Sequence, residues 1–262
     1  MPTDFSTFDA VLLDLDGTIY HEDEPLIGAA DLVRRLQREN HRFACLSNST
    51  NSPRQISQRL ARMGMQVEPK HIYPATEAAA TYVIEKYPPR PRVFNLATTG
   101  MHELLDGQVQ WVQSDREPCD AVIVGCPSNT HASEERQRLA LVLLRAGAEL
   151  VGICADRVFP SPRGFEFGSG AFCALLGYAA NVKPTFCGKP ETAFFLRLCR
   201  KLNVDPKRCV LIGDNLESDV AGGKRLGMTT VLTLTGVATR QEIENLDPDH
   251  HPDVIVNDLR EL

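Results

Sequence analysis

The sequence is poor in the features that would settle its class at once. No apolar run comes near the ~18 residues of a membrane-spanning helix. The opening MPTDFSTFDA lacks the basic-then-apolar pattern of a secretory signal. Basic residues are in deficit: 28 Lys and Arg against 34 Asp and Glu give a net charge of -6. That argues against a nucleic-acid binder, which carries a basic footprint. It also means that an anionic substrate has to be drawn in by a local site and not by the overall field. No Cys-x-x-Cys pair occurs among Cys45, Cys119, Cys126, Cys154, Cys173, Cys187, Cys199 and Cys209, so a zinc knuckle is not expected. Most of these cysteines lie in apolar stretches, where a reduced thiol acts as a small hydrophobe. A cytoplasmic protein with reduced thiols and no membrane partner is the expectation. No Gly-x-Gly-x-x-Gly follows a strand, and GGKRLG sits mid-helix, so neither a dinucleotide fingerprint nor a Walker loop is present. The single tryptophan, Trp111, reads as a core residue.

What the sequence does have is alternation. DAVLLDLD is a continuous apolar run of the kind buried on both faces of a parallel sheet. AADLVRRLQREN is amphipathic, with Leu32, Val33 and Leu36 on one side. RFACLSNST is a second strand ending in small polar residues. NSPRQISQRLARMG is a helix with Ser52 as N-cap, Pro53 at its first position and Gly64 at its end. Strand and helix follow in HIYPAT and EAAATYVIEKY, and PPRPR then breaks the pattern. A second alternating set runs through RVFNLAT, CDAVIVGC, EERQRLALVLLRAG and ELVGIC. After the Gly- and Pro-rich loop DRVFPSPRGFEFGSG and one helix, strand-helix-strand units resume. A chain of 262 residues accommodates this as a domain with a second one inserted. The expected plan is α/β: a doubly wound parallel-sheet (Rossmann-like) core, residues 1–82 and 183–262, interrupted by an inserted α/β domain, residues 83–182.

In open parallel sheets, ligands sit at the carboxyl ends of strands near the point where strand order reverses. Four of the expected strands end in residues that suit a single chemistry. They are Asp14-Leu15-Asp16-Gly17-Thr18, Ser47-Asn48, Gly188-Lys189-Pro190, and Gly213-Asp214-Asn215 with Asp219 one turn on. Two aspartates at i and i+2 of a strand repel each other and are costly to desolvate, so they call for a cation. Carboxylates crowded without His or Cys suit a hard octahedral cation such as Mg2+. A lysine, a hydroxyl and loop amides suit a phosphoryl group. Asp14 is placed to attack phosphorus and Asp16 to shuttle the proton, with Asp214 and Asp219 holding or orienting the metal. Singly, each motif has an ordinary reading: an Asx turn, a surface lysine, a helix cap. Four in order, all at strand ends, are improbable as coincidence.

DLDGT, LSN, GKP and GDNLESD, in that order, resemble the four signature motifs of the haloacid-dehalogenase (HAD) superfamily. DGTIYHEDEPLIGAADLVRRL, LSNSTNSPRQISQRLARMG and the long insertion between LSN and GKP resemble its NagD-like group, subfamily IIA. The resemblance implies a HAD core with an inserted C2-type α/β cap. It implies Mg2+-dependent hydrolysis of a small-molecule phosphate monoester through an aspartyl-phosphate. Asp14 would be the nucleophile and Asp16 the acid/base, whose carbonyl also binds metal. Ser47, Asn48 and Lys189 would bind phosphate. Asp14, Asp16, Asp214 and Asp219 would form the metal site. Relatives often pair through the cap, although no residue here signals it. The group takes glycolate- or glycerol-type phosphates, nucleoside monophosphates, pyridoxal phosphate and sugar phosphates, and the motifs do not choose among them. Selection is expected from the cap, with Arg157 or Arg163 touching a second polar group of the substrate. A receiver-type signalling domain fits less well, because it needs no Asp16 and no insertion. A phosphotransferase, or a non-hydrolytic phospho-ligand binding protein on the same fold, stays open.

Overall fold

The computed structural model describes residues 4–126, 133–161 and 164–262. From the N-terminus, β1 (Ala10–Asp14) leads into a hairpin of β2 (Tyr20–His21) and β3 (Glu24–Pro25), then α1 (Ala29–Arg38), β4 (Phe43–Ser47) and α2 (Pro53–Arg62). Next come β5 (Ile72–Pro74), α3 (Ala75–Lys86), β6 (Arg92–Leu96), α4 (Thr99–Leu105), β7 (Gln110–Trp111), β8 (Ala121–Val124) and α5 (Glu134–Arg145). They are followed by β9 (Glu149–Gly152), β10 (Val158–Ser161), β11 (Gly164–Phe167), α6 (Ser169–Ala180) and β12 (Thr185–Phe186). The chain closes with α7 (Thr192–Leu202), β13 (Cys209–Gly213), α8 (Ala221–Lys224), β14 (Thr229–Thr233), α9 (Arg240–Glu244) and β15 (Val254–Val256). Contacts divide it into two compact units. Unit 1 is Met1–Ser47, Pro53–Tyr73 and Lys189–Leu262; unit 2 is Asn48–Ser52 and Pro74–Gly188.

Unit 1 is built on a six-stranded sheet in the order β15-β14-β13-β1-β4-β5. β1 runs parallel to β13 on one side and to β4 on the other. Every residue of β1, β4 and β13 is buried, which is why these strands read as unbroken apolar runs rather than alternating ones. α1 buries Leu32, Val33 and Leu36, and α2 buries Ile56 and Leu60. They join Val11, Leu13, Cys45, Ile212 and Val231 in one apolar cluster. Each fully buried aliphatic side chain contributes on the order of 1.5–3 kcal/mol. The doubly wound architecture expected from the sequence is the one found.

Unit 2 has a parallel sheet of its own, in the order β12-β9-β8-β6-β7. Phe94, Leu96, Val122, Val124, Leu143, Leu144 and Leu150 form its core. Two expectations need correcting here. Trp111 is only half-buried: it lies on the edge strand β7 with its ring 4.3 Å from that of His102, while the next residue, Val112, enters the core. The segment read as a loop contains the antiparallel hairpin β10–β11, in which Val158 pairs with Phe167 and Phe159 with Glu166. Pro160 and Gly164 hid it, because both are depleted in strands except at edges and bends. Among the described residues no helix is long and apolar enough to cross a membrane.

Candidate active site

The site is built at the carboxyl end of β1, where the sheet's strand order reverses. Asp14 is the last residue of β1 and pairs with Leu46 of β4, so Ser47 ends the neighbouring strand one residue further on. On the other side Leu13 pairs with Ile212, and β13 exits through Gly213 into Asp214. Both Asp14 and Ser47 are buried. Asn215 starts the turn that follows: its side chain accepts the amide N–H groups of Glu217 and Ser218, and the tight turn Leu216–Val220 brings Asp219 back toward the strand end. There the Asn215 amide donates to Asp219 Oδ2 at 3.2 Å.

Lys189 holds these pieces together. It is only 4% exposed, so the surface-lysine reading fails. Its Nζ donates to Asp14 Oδ1 at 2.5 Å and to Asp219 Oδ1 at 2.6 Å. Thr18 Oγ1 reaches Asp14 Oδ2 at 3.4 Å. Carboxylate oxygens of Asp14, Asp214 and Asp219 lie within 4.8 Å of one another, all three residues being buried. The cluster therefore pairs three carboxylates with one ammonium. Burial, with Asp214's charge alongside, raises the Asp14 carboxyl to about 7 against the opposing pull of Lys189. Burial also raises Asp219 to about 6, and burial plus the Asp219 charge raises Asp214. For Lys189 burial works toward a lower pKa, but Asp14 and Asp219 outweigh it and push it up. Three buried carboxylates facing one ammonium leave negative charge in excess. Oxygen donors without His or Cys fit a hard divalent cation such as Mg2+.

Asp214 is fixed from a direction the motif pattern did not reveal. The Val237 amide donates to Asp214 Oδ2 at 2.8 Å, and the Ala238 amide to its carbonyl at 3.2 Å. A Cβ at Gly236 would stand 1.9 Å from Asp214 Oδ2, and one at Gly17, whose φ is +81°, would stand 2.4 Å from it. Thr235 Oγ1 donates to the Gly17 carbonyl at 2.8 Å and lies 3.0 Å from Thr233 Oγ1. The loop leaving β14 thus clasps both Asp214 and the turn after Asp16.

Asp16 is outside this cluster. It has exposed surface, yet neighbouring groups crowd it enough to desolvate the carboxyl in part, and that desolvation raises its pKa despite Arg59 and a hydrogen bond from Tyr20 OH at 3.2 Å. Asn48 belongs to unit 2, where its amide nitrogen donates to both carboxylate oxygens of Asp156 at 3.2 Å. Arg157, also in unit 2, is exposed next to β10. Arg163 lies outside the described residues. Thr18, Tyr20, Arg59 and the Thr235–Val237 loop were missed from sequence. Tyr20 and Thr18 stand within the quoted motif, but a buried aromatic and a turn threonine look like ordinary packing there.

The haloacid dehalogenase-like hydrolase family model matches residues 11–108, and a HAD-hydrolase-like model matches residues 186–262. An acid sugar phosphatase of Staphylococcus saprophyticus is 30% identical over 239 residues, covering 90% of each chain. The structure of a glycerol phosphate phosphatase from Mycobacterium tuberculosis, in complex with magnesium, superposes with a TM-score of 0.90 at 25% identity, over 100% of this chain and 79% of that one. A 4-nitrophenylphosphatase from Thermotoga maritima gives a TM-score of 0.88 at 27% identity, over 98% of this chain and 97% of the other. The chain belongs to the haloacid-dehalogenase superfamily, within its NagD-like phosphatases, and consists of a Rossmann-like core with an inserted α/β cap domain.

Proposed function

We propose that this phosphatase hydrolyses a small-molecule phosphate monoester in a Mg2+-dependent reaction that passes through an aspartyl-phosphate on Asp14. The observation that carries the reading is the Lys189 ammonium bridging Asp14 and Asp219, with Asp214 completing a buried triad of carboxylates. Asp14, Asp214, Asp219 and the Asp16 carbonyl would hold Mg2+, which supplies positive charge to the phosphoryl oxygens and to the carboxylates. Lys189 neutralises part of the charge that otherwise opposes attack by one anion on another. Asp14 attacks phosphorus; Asp16 gives a proton to the departing alcohol and takes one from the incoming water. Ser47 and Asn48 complete the phosphate contacts in this reading. Residues 83–182, which fall within unit 2, carry the cap, and Arg157 and Arg163 are its proposed substrate contacts.

The relatives' names, an acid sugar phosphatase and a glycerol phosphate phosphatase among them, support a small polyol phosphate as ligand. A cytoplasmic setting is part of this reading. A homodimer through the cap has the exposed Phe165, Phe167, Leu175 and Tyr178 of unit 2 as its apolar surface. Sedimentation of the protein as a monomer at all accessible concentrations would exclude it. The function itself is tested by phosphate release from para-nitrophenyl phosphate and a panel of sugar, glycerol and nucleoside esters, with and without Mg2+, for the natural protein and Asp14→Asn. Release that needs Mg2+ and disappears in the variant is expected. Release that survives in Asp14→Asn would sink the covalent mechanism.

A further inference from the structure

Of the four aspartates at the strand ends, Asp16 is the one that stands outside the buried Asp14–Asp214–Asp219 cluster. Tyr20 OH donates a hydrogen bond to its Oδ2 at 3.2 Å. Tyr20 is a firmly held donor. The residue is only 1% exposed. The backbone between the two residues is tightly wound: the amides of Thr18, Ile19 and Tyr20 all point at the Leu15 carbonyl, and the Gly17 amide donates to the Tyr20 carbonyl at 2.8 Å. On the ring's face lies Arg59 of α2, its Cζ 4.5 Å from the centroid. Arg59 also donates Nε to Asp23 Oδ1 at 2.9 Å and Nη2 to the Glu22 carbonyl at 2.5 Å, so it ties down the tip of the β2–β3 hairpin. All these groups belong to unit 1. A buried tyrosine needs some partner for its hydroxyl, so packing alone explains the burial but not the choice of Asp16.

We propose that Tyr20, braced by Arg59, is a positioning residue for proton transfer: it holds Asp16 Oδ2 so that Oδ1 is presented to the leaving oxygen. The inference rests on the phosphatase reading above. In the first half-reaction a bond forms between Asp14 and phosphorus while the ester P–O bond breaks. The electron pair leaves on the alcohol oxygen, which takes the proton from Asp16 Oδ1. In the second half-reaction water attacks phosphorus and returns a proton to Asp16, and the Asp14–phosphorus bond breaks with its electron pair going back to Asp14. An alkyl alcohol leaves poorly without that proton, whereas para-nitrophenolate leaves readily as an anion. kcat/KM reports events only through release of the alcohol, so it isolates the first transfer.

The experiment compares kcat/KM for para-nitrophenyl phosphate and for the alkyl ester cleaved fastest by the natural protein, using Tyr20→Phe and Arg59→Met with folding checked by circular dichroism. General-acid catalysis contributes roughly 10^2–10^4-fold, so misplacing the acid should lower kcat/KM on the alkyl ester by about tenfold or more. The fall on para-nitrophenyl phosphate should stay below about threefold, since its leaving group does not draw on the acid. Arg59→Met should shift the ratio the same way, and it decides the matter if Tyr20→Phe does not fold. An equal fall on both esters, or no fall on either, would overturn the positioning role and leave the phosphatase reading intact. A natural protein that cleaves neither ester with Mg2+ present would overturn both.

Discussion

At the scale of single residues, Lys189 and Gly236 do most to define the cluster. Lys189 brings an ammonium into contact with two of its buried carboxylates. Lys189→Met leaves their charges uncompensated, and a broken buried pair of this kind costs about 3–5 kcal/mol. Urea unfolding without added metal should show a loss of that order, smaller once Mg2+ is supplied. Gly236 has no space for a side chain, because a Cβ would meet Asp214 Oδ2 at 1.9 Å. Gly236→Ala must push Asp214 or its loop aside, and disturbing an outer partner of a ligand typically costs about 10–100-fold in metal affinity. Calorimetric titration with Mg2+ checks this without any need for turnover; unchanged affinity would count against the proposed role of Asp214 in binding the metal. The sequence announces Asp14, Asp16, Asp214 and Lys189 because each sits at a strand end within a short local pattern. It is silent about the Val237 amide, the Thr235 hydroxyl and Gly236; the partners of the first two are 23 and 218 residues away along the chain. Such contacts depend on the register of β13 and β14, which local periodicity does not encode.

At the scale of elements, the hydrogen bonds around Glu149 tie α3 and β12 to β9 inside unit 2. Glu149 accepts from Tyr82 OH at 2.7 Å, Lys86 Nζ at 2.8 Å, Tyr87 OH at 2.6 Å and Thr185 Oγ1 at 2.9 Å. Burial works to raise its pKa, yet the hydrogen bonds prevail and hold it below the ordinary carboxylate value. A carboxylate depressed in the folded state stabilises fully above its unfolded pKa, near ~4.3, and loses that contribution as pH falls through the lower folded value. Glu149→Gln should therefore cost roughly 2 kcal/mol at neutral pH, by loss of charge-assisted hydrogen bonds, and progressively less as the solution is acidified below that range. Chemical denaturation at neutral and at acid pH measures the difference; a cost independent of pH would mean that the charge of Glu149 contributes nothing. The buried strands and amphipathic helices were legible from composition and period. The hairpin β10–β11 was not, since a proline and a glycine within it carry the local signature of a loop and its pairing is what makes it a strand pair.

At the scale of the whole molecule, the alternating units predicted a parallel core with an insertion, and the two sheets with separate apolar clusters match that plan. Asp14, Lys189, Asp214 and Asp219 all belong to unit 1. Binding that favours a folded state stabilises it by mass action, about 2.7 kcal/mol at a hundredfold excess over Kd. Hydrogen exchange should accordingly slow in β1, β13 and the β14 exit loop when Mg2+ is added, while β6 and β8 of unit 2 exchange as before. Protection spread evenly over both units would contradict a metal site confined to the core. The insertion has one more consequence, which concerns synthesis. β1 is central in its sheet, but β13, its partner on one side, follows the whole of unit 2 in the chain, and Lys189 stands 175 residues beyond Asp14. A ribosome therefore releases β1, with Asp14 at its end, early and its second flank late. Until then β1 can pair with β4 alone, leaving an apolar strand edge open while unit 2 emerges and folds. The crowd of like charges also gathers last, once Asp214 and Asp219 have joined Asp14 and Lys189 is already in the chain to meet them.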